Sequence, residues 1–397
     1  MQALNSIELF SGAGGLALGL AESGFHHELL VENNKDAINT LRKNHDSGQQ
    51  QIKSWNITHS NINEISFKNY QSKISLIAGG PPCQPFSLGG KHKAVDDSRD
   101  MFPEAVRAVR EAQPQAFIFE NVKGLLRQSF STYFEYIILQ LTYPNITKEN
   151  NENWEEHLSR LEITHTKGSY SGIKYNVVYR LLNAADYGVP QKRERVFIVG
   201  FRSELNIEWS FPKATHSKDS LLWSQWITGD YWKKIEQSDG MPVPPVNIKQ
   251  RLDKKYGMFS PQEKPWVTIR QALSDLPEPK SINNKVPNHE FRSGAKSYPG
   301  HTGSPIDEPS KTLKAGDHGV PGGENMIRFN DNSLRYFTAR EAARIQTFPD
   351  DYLITGSWSE TMRQLGNAVP VELSKAVSQN VATALKKSNK LLKKRTS

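Results

Sequence analysis

The sequence predicts an α/β protein with a doubly wound, mostly parallel sheet, into whose chain a second, loop-rich region is inserted. Two observations predict the sheet. Short aliphatic runs without polar alternation recur through the first half of the chain, as expected for strands that are buried on both faces. Longer mixed segments separate these runs, and alternation of strands with helices is typical of a doubly wound sheet.

The elements of this sheet can be assigned in order along the chain. Six strands are predicted, at residues 7–10, 28–31, 74–78, 116–119, 177–182 and 196–199. Helices are predicted at residues 16–23, 101–111, 154–161 and 371–385. The polar segment 144–173 contains the third of these helices and is predicted to be a surface insertion, to which we assign no function.

The inserted region is marked by a change in composition after about Ser203. Prolines cluster there, aromatic residues are interleaved with Lys and Arg, and regular periodicity fades. A compact apolar pattern returns at Thr361. We therefore predict one domain from residues 1–203 and 361–397, which carries the sheet, and a second, loop-rich domain from residues 204–360.

Composition limits the classes of protein to which the chain can belong. Lys and Arg number 50 and Asp and Glu 42, giving a net charge of +8, which suits a polyanionic partner. The single cysteine, Cys83, excludes an intramolecular disulfide and a cysteine-rich zinc site, and no HExxH motif occurs, so we expect no metal. No segment resembles a signal peptide or the ~20 apolar residues of a membrane helix, so we expect a soluble cytoplasmic protein.

A glycine-rich turn follows the first predicted strand. Its residues are Phe10, Gly12, Gly14, Gly15 and Leu16. Glycines let a ligand approach the backbone closely, and the N-terminus of the following helix exposes unpaired N–H groups. Glu32 ends the next strand, where a carboxylate can accept hydrogen bonds from both hydroxyls of a ribose. The pattern indicates a dinucleotide or S-adenosylmethionine equally well, and a purely structural turn is the alternative.

The most specific motif surrounds the only cysteine. Cys83 lies in the sequence Gly-Gly-Pro-Pro-Cys-Gln-Pro-Phe-Ser, which directly follows the strand predicted at 74–78. Three prolines within five residues exclude a helix and a central strand, and open α/β sheets bind ligands at the carboxyl ends of their strands. A lone cysteine is usually a small buried hydrophobe. One enclosed by prolines on an irregular loop fits that role poorly, so we interpret Cys83 as a nucleophile.

One substrate that would need a nucleophilic thiol is cytosine. C5 of cytosine is too electron-poor to take a methyl group directly, whereas thiolate addition at C6 makes C5 nucleophilic, like an enamine carbon. Free cysteine is only a few per cent thiolate at neutral pH, so the ring must also be activated. For such a substrate, Glu120, just past the strand predicted at 116–119, is the candidate general acid at N3. The alternative is an ordinary acidic residue that caps a helix beginning near Val122.

Two arginines precede the last predicted strand. Arg193 and Arg195 are separated by one residue, and alternate residues of an extended segment point the same way, so we predict that they share a face. Two guanidiniums on one face suit a phosphate or a base carbonyl. A solvated run of charges is the alternative.

Together and in this order, these motifs resemble those of the DNA cytosine-5 methyltransferase family, bacterial restriction-modification type, over most of the chain. The resemblance implies a Rossmann-like, S-adenosylmethionine-dependent methyltransferase fold whose inserted domain recognises the DNA target. It implies that Cys83 is the nucleophile, that Glu120 activates the base, and that Arg193 and Arg195 lie near a flipped-out cytosine. The implied cofactor residues are Phe10, Gly12, Gly14, Gly15, Leu16, Glu32, Asn56, Ile57, Pro81, Asn367 and Ala368.

One cofactor position departs from the family pattern. Where the family usually has an Asp-Ile pair facing the adenine, this sequence has Asn56-Ile57, although an Asn carbonyl can still accept a hydrogen bond from the adenine amino group. The resemblance also implies a mobile, basic loop over residues 87–100 and a short Thr-Leu signature in the second domain. The implied DNA-binding residues are Gln84, Ser87, Lys91, Thr312 and Leu313.

The sequence therefore predicts methyl transfer from S-adenosylmethionine to C5 of cytosine within a short, specific duplex DNA sequence. The base is turned out of the duplex for a covalent Cys83–C6 adduct, and methylation protects the DNA from a partner restriction endonuclease. We expect a nucleoid-associated monomer. One alternative is a tRNA cytosine-5 methyltransferase, which the long second domain disfavours; a catalytically silent DNA-binding repressor is another, which the filled catalytic positions disfavour. A dehydrogenase would not need the motif around Cys83.

Overall fold

The computed structural model describes residues 3–49, 51–82, 100–235, 245–281, 285–316 and 325–396, with side chains as far as residue 391. The chain forms two compact units. The first, the sheet unit, comprises Met1–Leu182, Glu194–Pro212 and Ser374–Ser397. The second, the loop-rich unit, comprises Asn183–Arg193 and Lys213–Leu373. These units differ from the predicted domains at residues 183–193, 204–212 and 361–373, and the functions assigned to the two domains stay predictions.

Strands and helices alternate in the first part of the sheet unit. In chain order, the strands are β1 (Leu4–Leu9), β2 (Phe25–Glu32), β3 (Ile57–His59), β4 (Leu76–Gly79), β5 (Ala116–Val122), β6 (Tyr175–Asn183) and β7 (Glu194–Arg202). The helices are α1 (Gly15–Glu22), α2 (Lys35–Asp46), α3 (Phe102–Ala112), α4 (Ser131–Thr142) and α5 (Trp154–Lys167). Short 3-10 helices lie at Ile62–Glu64, Lys68–Tyr70, Lys123–Leu126, Gln128–Phe130 and Ser203–Leu205.

The seven strands form one mostly parallel sheet in the order β3-β2-β1-β4-β5-β7-β6. β1 pairs in parallel with β2 and β4, β2 with β3, and β4 with β5, whereas β5 and β7 are antiparallel. Each of the six predicted strands overlaps one of these strands, and the predicted fold class is confirmed. β3 is missing from the prediction because it has only three residues, lies at the edge of the sheet and contains no buried residue.

The central strands are buried because helices cover the sheet. All four residues of β4 and six of the seven residues of β5 are buried. α3 adds Phe102, Val106 and Val109 to the core, at the three- to four-residue spacing of one helix face. The helix has a proline in its first turn, and its C-cap residue is Gln113, whose φ is 49°. The central strands are therefore fixed by packing on both faces of the sheet.

The predicted insertion adds α5 to the sheet unit. Asn153 and Glu156 form a capping box at its N-terminus, in which each side chain accepts a hydrogen bond from the other residue's backbone N–H. Leu161 is fully buried, and the hydroxyl of Tyr136 on α4 lies 2.8 Å from Nδ1 of His157. The helix runs to Lys167, six residues beyond the predicted end. The insertion is thus a packed helix and not a loose loop.

One edge of the sheet collects the loops that carry the predicted site. β1, β4 and β5 are parallel neighbours, so their carboxyl ends lie at the same edge. Gly79, the last residue of β4, pairs with Leu9 at the end of β1 and with Phe119 on β5. The glycine turn after β1, the start of the Cys83 motif and Glu120 therefore come together at this edge.

The loop-rich unit contains short elements joined by long irregular segments. Its strands are β8 (His216–Ser217), β9 (Lys264–Pro265), β10 (Ser304–Pro305), β11 (Met326–Arg328) and β12 (Leu334–Tyr336), with a 3-10 helix at Ala184–Tyr187. Its helices are α6 (Lys218–Trp226), α7 (Asp230–Lys234), α8 (Val246–Tyr256), α9 (Ile269–Leu273), α10 (Ala339–Ile345) and α11 (Trp358–Asn367). Buried polar groups order its loops: the fully buried Arg340 donates to the carbonyls of Pro287, Pro349 and Tyr352 at 2.9–3.2 Å.

The last helix, α12 (Val371–Thr396), starts in the loop-rich unit and continues in the sheet unit. In the sheet unit it packs on α1, where Oγ of Ser374 donates to the carbonyl of Leu16 at 2.8 Å. A Cβ atom on Gly19 would lie 2.4 Å from Oγ of Ser374, so this close approach requires glycine. In the described part of the chain, no helix combines the length and apolar character needed to cross a membrane.

Candidate active site

The turn after β1 has the backbone conformation that its glycines predict. Gly12 and Gly14 have φ values of 53° and 84°, in the left-handed region that glycine tolerates best, and Phe10 is held at 57°. A Cβ atom on Gly12 would meet nothing within 4 Å, so the space beside this glycine is open. α1 begins at Gly15 without a side-chain cap. The turn thus offers open space and a helix N-terminus at the carboxyl edge of the sheet.

Glu32 ends β2 next to this turn, and its carboxylate is held in place by backbone groups. Oε2 accepts a hydrogen bond from the N–H of Gly12, and Oε1 accepts one from the N–H of Asn34, each at 2.7 Å. Asn34 in turn caps α2, because its side chain accepts hydrogen bonds from the N–H groups of Asp36 and Ala37. The acid is therefore preorganised, and each carboxylate oxygen keeps a second lone pair for a ligand hydroxyl.

The predicted adenine-binding residues lie where β3 starts. The carbonyl of Asn56 accepts from the N–H of Leu30 at 2.8 Å, and its side-chain Nδ2 donates to the carbonyl of Glu28 at 3.1 Å. The side-chain oxygen is the acceptor that remains. Ile57 follows as the first residue of β3 and pairs with Leu30. This geometry is compatible with acceptance from an adenine amino group.

A buried acid that the sequence did not single out lies beneath the turn. Glu8 on β1 is fully buried, and neither of its carboxyl oxygens has a hydrogen-bond partner of ordinary geometry among the described residues. Burial raises the pKa of this carboxyl well above its usual value; the nearby backbone N–H of Ala17 offsets part of the rise, and the negative charge of Glu32 adds to it. Glu8 is therefore favoured in its neutral form. It lies on β1, two residues before the turn begins at Phe10.

The start of the Cys83 motif is anchored to β5. Nδ2 of Asn121 donates to the carbonyl of Pro81 at 2.9 Å, and the N–H of Met101 donates to the carbonyl of Pro82 at 3.1 Å. A Cβ atom on Gly79 would lie 2.5 Å from the carbonyl oxygen of Leu9, so only glycine fits there. The two ends of the 83–99 segment are thus fixed. Four predicted site residues, Cys83, Gln84, Ser87 and Lys91, lie outside the described residues.

Glu120 and Arg195 form a buried ion pair beside this anchored segment. Nε of Arg195 lies 2.8 Å from Oε1 of Glu120, and the two side chains are only 14% and 8% exposed. Oε2 of Glu120 would lie 3.2 Å from a Cβ atom on Gly80, three residues before Cys83. Burial lowers the pKa of the Arg195 guanidinium, while the Glu120 carboxylate acts in the opposite direction. One carboxylate oxygen therefore holds the cation and the other lies beside Gly80.

The structure excludes the alternative interpretation of Glu120 as a helix cap. The helix after β5 is a 3-10 turn, Lys123–Leu126, whose N-cap is Val122 and which has no side-chain cap. Glu120 is therefore not a helix cap. Asn121 was not predicted as a site residue, because an anchoring hydrogen bond to Pro81 leaves no signal in local sequence.

Arg193 takes a different place from its predicted one. It is fully buried in the loop-rich unit, just before β7 starts, and donates to the carbonyls of Leu313 at 3.2 Å and Gly366 at 2.7 Å. Both carbonyls belong to segments that are far away in sequence. This corrects the expectation that Arg193 contacts the base, because its guanidinium is occupied in joining three segments of the loop-rich unit.

The Thr-Leu signature is part of the same scaffold. Leu313 is 1% exposed, which corrects the expectation that it contacts DNA. Its N–H donates to Oε1 of Gln191 at 3.0 Å, and the hydroxyl of Thr312 donates to the carbonyl of Lys192 at 2.9 Å. Gln191 also donates to Oε1 of Gln346 at 3.1 Å. These two buried glutamines, which sequence reasoning did not identify, link the residues just before β7 to the end of α10.

The remaining predicted cofactor residues lie in the loop-rich unit. Asn367 ends α11 and is exposed, and Ala368 follows as its C-cap. The carbonyl of Ala368 accepts from Nε2 of Gln346 at 3.3 Å. Their contact with the cofactor stays a prediction.

The sheet order and the position of the glycine turn define a class of protein, the Rossmann-like, S-adenosylmethionine-dependent methyltransferases. The structure of the Entamoeba histolytica methyltransferase EhMeth is similar to this chain, with a TM-score of 0.55. The two are 15% identical, and the likeness covers 97% of this chain and 99% of that one. This comparison supports the fold alone.

Within this class, sequence similarity identifies the family. A family model described as C-5 cytosine-specific DNA methylase matches residues 4–145 and 144–383. The chain is 33% identical over 396 residues to the type II methyltransferase M.Eco47II of Escherichia coli, covering 97% of this chain and 80% of that protein. It is also 33% identical over 383 residues to M.PspPI of Psychrobacter sp. (strain TA137), covering 96% and 79%. The chain belongs to the C-5 cytosine-specific DNA methylase family and is a DNA cytosine-5 methyltransferase.

The methyl donor of this family is S-adenosylmethionine, and the residues at the carboxyl edge of the sheet fit it. The open space beside Gly12 and the left-handed turn admit a ligand close to the backbone. The fixed carboxylate of Glu32 suits a pair of ribose hydroxyls. In the described ranges, no group of three or more His, Cys, Asp or Glu residues is arranged to hold a metal ion.

Proposed function

We propose that this enzyme methylates C5 of one cytosine within a short, specific duplex DNA sequence through a covalent Cys83–C6 adduct. The observation that carries the proposal is the buried Glu120–Arg195 pair, which lies beside the segment leading into Cys83. An ordinary structural ion pair would not need to face a loop that carries the only cysteine of the chain. Thiolate addition to a cytosine ring requires a nucleophile together with an acid that can protonate N3.

Anchoring of the described residues that flank the 83–99 segment supports this proposal. Asn121 and Met101 hold the backbone on both sides of residues 83–99, through the carbonyls of Pro81 and Pro82. Such anchoring limits how far Cys83 can lie from the end of β4. The position of the reacting groups matters, because a displacement of about 1 Å can reduce the rate of the chemical step about a hundredfold.

The two oxygens of Glu120 have separate tasks in this proposal. Oε1 stays with Arg195, which fixes the rotamer of the acid. Oε2, on the side of Gly80, contacts N3 of the flipped cytosine. When the thiolate adds to C6, the electron pair of the C5–C6 double bond moves into the ring towards N3, and a protonated Oε2 of Glu120 donates its proton to N3 as a general acid.

The remaining steps restore the base. S-adenosylmethionine would supply an electrophilic methyl group to C5 of the activated cytosine, with S-adenosylhomocysteine as the leaving group. A base then removes the proton from C5, the electron pair reforms the C5–C6 bond, the Cys83 thiolate leaves from C6, and N3 returns its proton to Glu120. The product is 5-methylcytosine, and the enzyme returns with its cysteine unchanged.

We assign cofactor contacts to the residues at the carboxyl edge of the sheet. Glu32 accepts hydrogen bonds from the ribose, and Asn56 accepts from the adenine amino group. The turn residues Phe10, Gly12 and Gly14 approach the donor through their backbone. The corresponding roles of Pro81 and Asn367 are carried over from the family resemblance.

Similarity to type II methyltransferases supports a proposal for the biological role. We propose that methylation protects DNA from a partner restriction endonuclease that recognises the same sequence. Such a role places the protein in the cytoplasm, at the nucleoid. We propose that it acts as a monomer, because one strand of an unmethylated site offers one target base at a time.

Mapping of methylation tests the proposal. The full-length protein is incubated with S-adenosylmethionine and unmethylated genomic DNA, and 5-methylcytosine is located by bisulfite sequencing. We expect methylation at one short repeated sequence, and none with the Cys83→Ser variant, which should still bind DNA. Methylation of tRNA but not of DNA would instead indicate an RNA methyltransferase. DNA binding without methylation of either would indicate a repressor.

A further inference from the structure

The loop-rich unit exposes an apolar pair at the end of α8. Met258 is 95% exposed and Phe259 is 79% exposed, which makes them the most exposed large apolar side chains among the described residues. Single exposed apolar residues are common on protein surfaces. Two adjacent apolar side chains that are almost completely exposed are less common, and an exposed apolar patch often marks an interaction site.

This pair lies on an ordered turn. α8 ends at Gly257, whose φ of 58° and ψ of −124° are accessible only to glycine. The N–H of Phe259 donates to the carbonyl of Tyr256 at 3.0 Å, which closes the turn behind the two side chains. The backbone therefore presents Met258 and Phe259 outward in a defined geometry.

The helix that carries the turn is held firmly at one point. Asp219 on α6 accepts from Arg251 at 2.8 Å, from Lys255 at 2.7 Å and from the hydroxyl of Tyr256 at 3.0 Å. Leu252, fully buried, is the one buried residue of α8. The helix thus has a narrow attached side, and the rest of its surface is solvated.

The solvated side is basic. Among the described residues, Lys249 and Lys254 have no carboxylate partner, and both are exposed. Residues 245–264 contain five Lys and Arg against two Asp and Glu. A positively charged helix that ends in a projecting apolar pair suits a partner whose charged surface surrounds an apolar interior.

Duplex DNA is such a partner, since phosphates line the grooves and stacked bases lie between them. We propose that the Met258–Phe259 turn is a wedge that inserts its side chains at a base step while Lys249 and Lys254 contact phosphates. Apolar wedges of Phe, Leu, Ile, Met and Pro unstack base steps and kink DNA in this way. A second copy of the chain is a poorer occupant because two basic segments would face each other. The wedge rests on the proposed action on duplex DNA.

The wedge is tested with the full-length Met258→Ala/Phe259→Ala variant. Because neither side chain is packed, its thermal unfolding should match that of the wild type. Binding is measured by fluorescence anisotropy on two duplexes of about 30 base pairs, one with the methylated sequence and one of mixed sequence. Bending is measured on the same duplexes by energy transfer between dyes at their ends.

We expect the double variant to bind about tenfold or more weakly and to leave the DNA unbent, because its side chains can no longer stack on bases. Its salt dependence should stay that of the wild type, because the wedge is apolar. Lys249→Glu/Lys254→Glu should instead reduce the salt slope, by about one unit for each phosphate that the variant no longer neutralises. Phe259→Leu should keep part of the bend. Ile163→Ala, which removes an exposed apolar side chain of α5, is the matched control and should change nothing.

Two results would overturn the wedge. One is wild-type affinity and bending in the double variant. The other is a wild-type dimer that the double variant dissociates, which would make the turn a contact between copies. Failure of the proposed function is distinguishable, because it would be seen as absence of methylation by the wild type. The mixed-sequence duplex tests the wedge even in that case.

Discussion

Replacing Arg195 with methionine leaves the Glu120 carboxylate buried without its cation. The two charges lie 2.8 Å apart at Nε and Oε1, and their side chains are 14% and 8% exposed. Unit charges at that distance attract each other by about 6 kcal/mol at an effective dielectric constant of about 20. Desolvation, which lowers the pKa of Arg195, offsets much of this attraction. Removing one partner alone costs more than the net value of the pair, about 3–5 kcal/mol, because the other charge stays buried.

Urea unfolding followed by circular dichroism measures this cost. Arg195→Met should lower the free energy of unfolding by about 3–5 kcal/mol, and Arg195→Met/Glu120→Gln should recover most of it, because both charges are gone. The deficit should be smaller at pH 5 than at pH 8, since the unpaired carboxylate can take up a proton. Lys123→Met is the matched control: its partner Glu194 lies 2.9 Å away, but the pair is 60% and 44% exposed, so we expect a loss of at most about 1 kcal/mol.

Either of two results would refute the reasoning. One is an Arg195→Met variant that unfolds with the stability of the wild type, which would mean that the ion pair does not hold a buried charge. The other is an equal loss of stability in the single and double variants, which would mean that the cost comes from packing of the Arg195 side chain and not from Glu120.

Three further predictions concern the sheet unit. Glu32→Gln should raise the KM for S-adenosylmethionine about ten- to a hundredfold, with a smaller change in the KM for DNA, since a charged hydrogen bond contributes about 1.5–3 kcal/mol. Equal KM values for S-adenosylmethionine in variant and wild type would show that Glu32 does not bind the donor. Asn121→Asp keeps the shape of the side chain but has no N–H to donate to Pro81, so single-turnover methylation should slow at least tenfold while DNA affinity is unchanged. The raised pKa of Glu8 makes the folded state bind a proton more tightly than the unfolded state, so stability is present at low pH and is lost as pH rises above the unfolded carboxyl's pKa. Glu8→Gln should remove this slope, which is up to about 1.4 kcal/mol per pH unit, as unfolding titrations between pH 5 and 8 would detect.

The strands of the sheet could be predicted because burial on both faces imposes an apolar run. β1, β4 and β5 therefore stand out in the sequence. β3 does not, since three residues at an edge, none of them buried, carry no such pattern. The limits of the units were harder to predict, because a stretch such as 183–193 belongs to the unit that it contacts in space, and composition does not record those contacts.

Some residues of the candidate site could likewise be predicted from the sequence, and others could not. Cys83, Glu120 and Glu32 could be selected because each follows or ends a buried strand, and two of them are held at the sheet edge in the described structure. The partners of Arg193 could not be predicted, because the carbonyls of Leu313 and Gly366 lie far along the chain. That Arg193 and Arg195 share a face stays a prediction.

Covalent attack by Cys83 is tested most directly by trapping the adduct. A duplex carrying 5-fluorocytosine at the methylated position is incubated with the full-length enzyme and S-adenosylmethionine. After methyl transfer, C5 carries fluorine in place of the proton that must leave, so the thiolate cannot be released. We predict a one-to-one complex that survives denaturation and maps to Cys83 by mass spectrometry. A Cys83→Ser variant that methylates an ordinary duplex, or a wild type that methylates without forming the adduct, would contradict the mechanism.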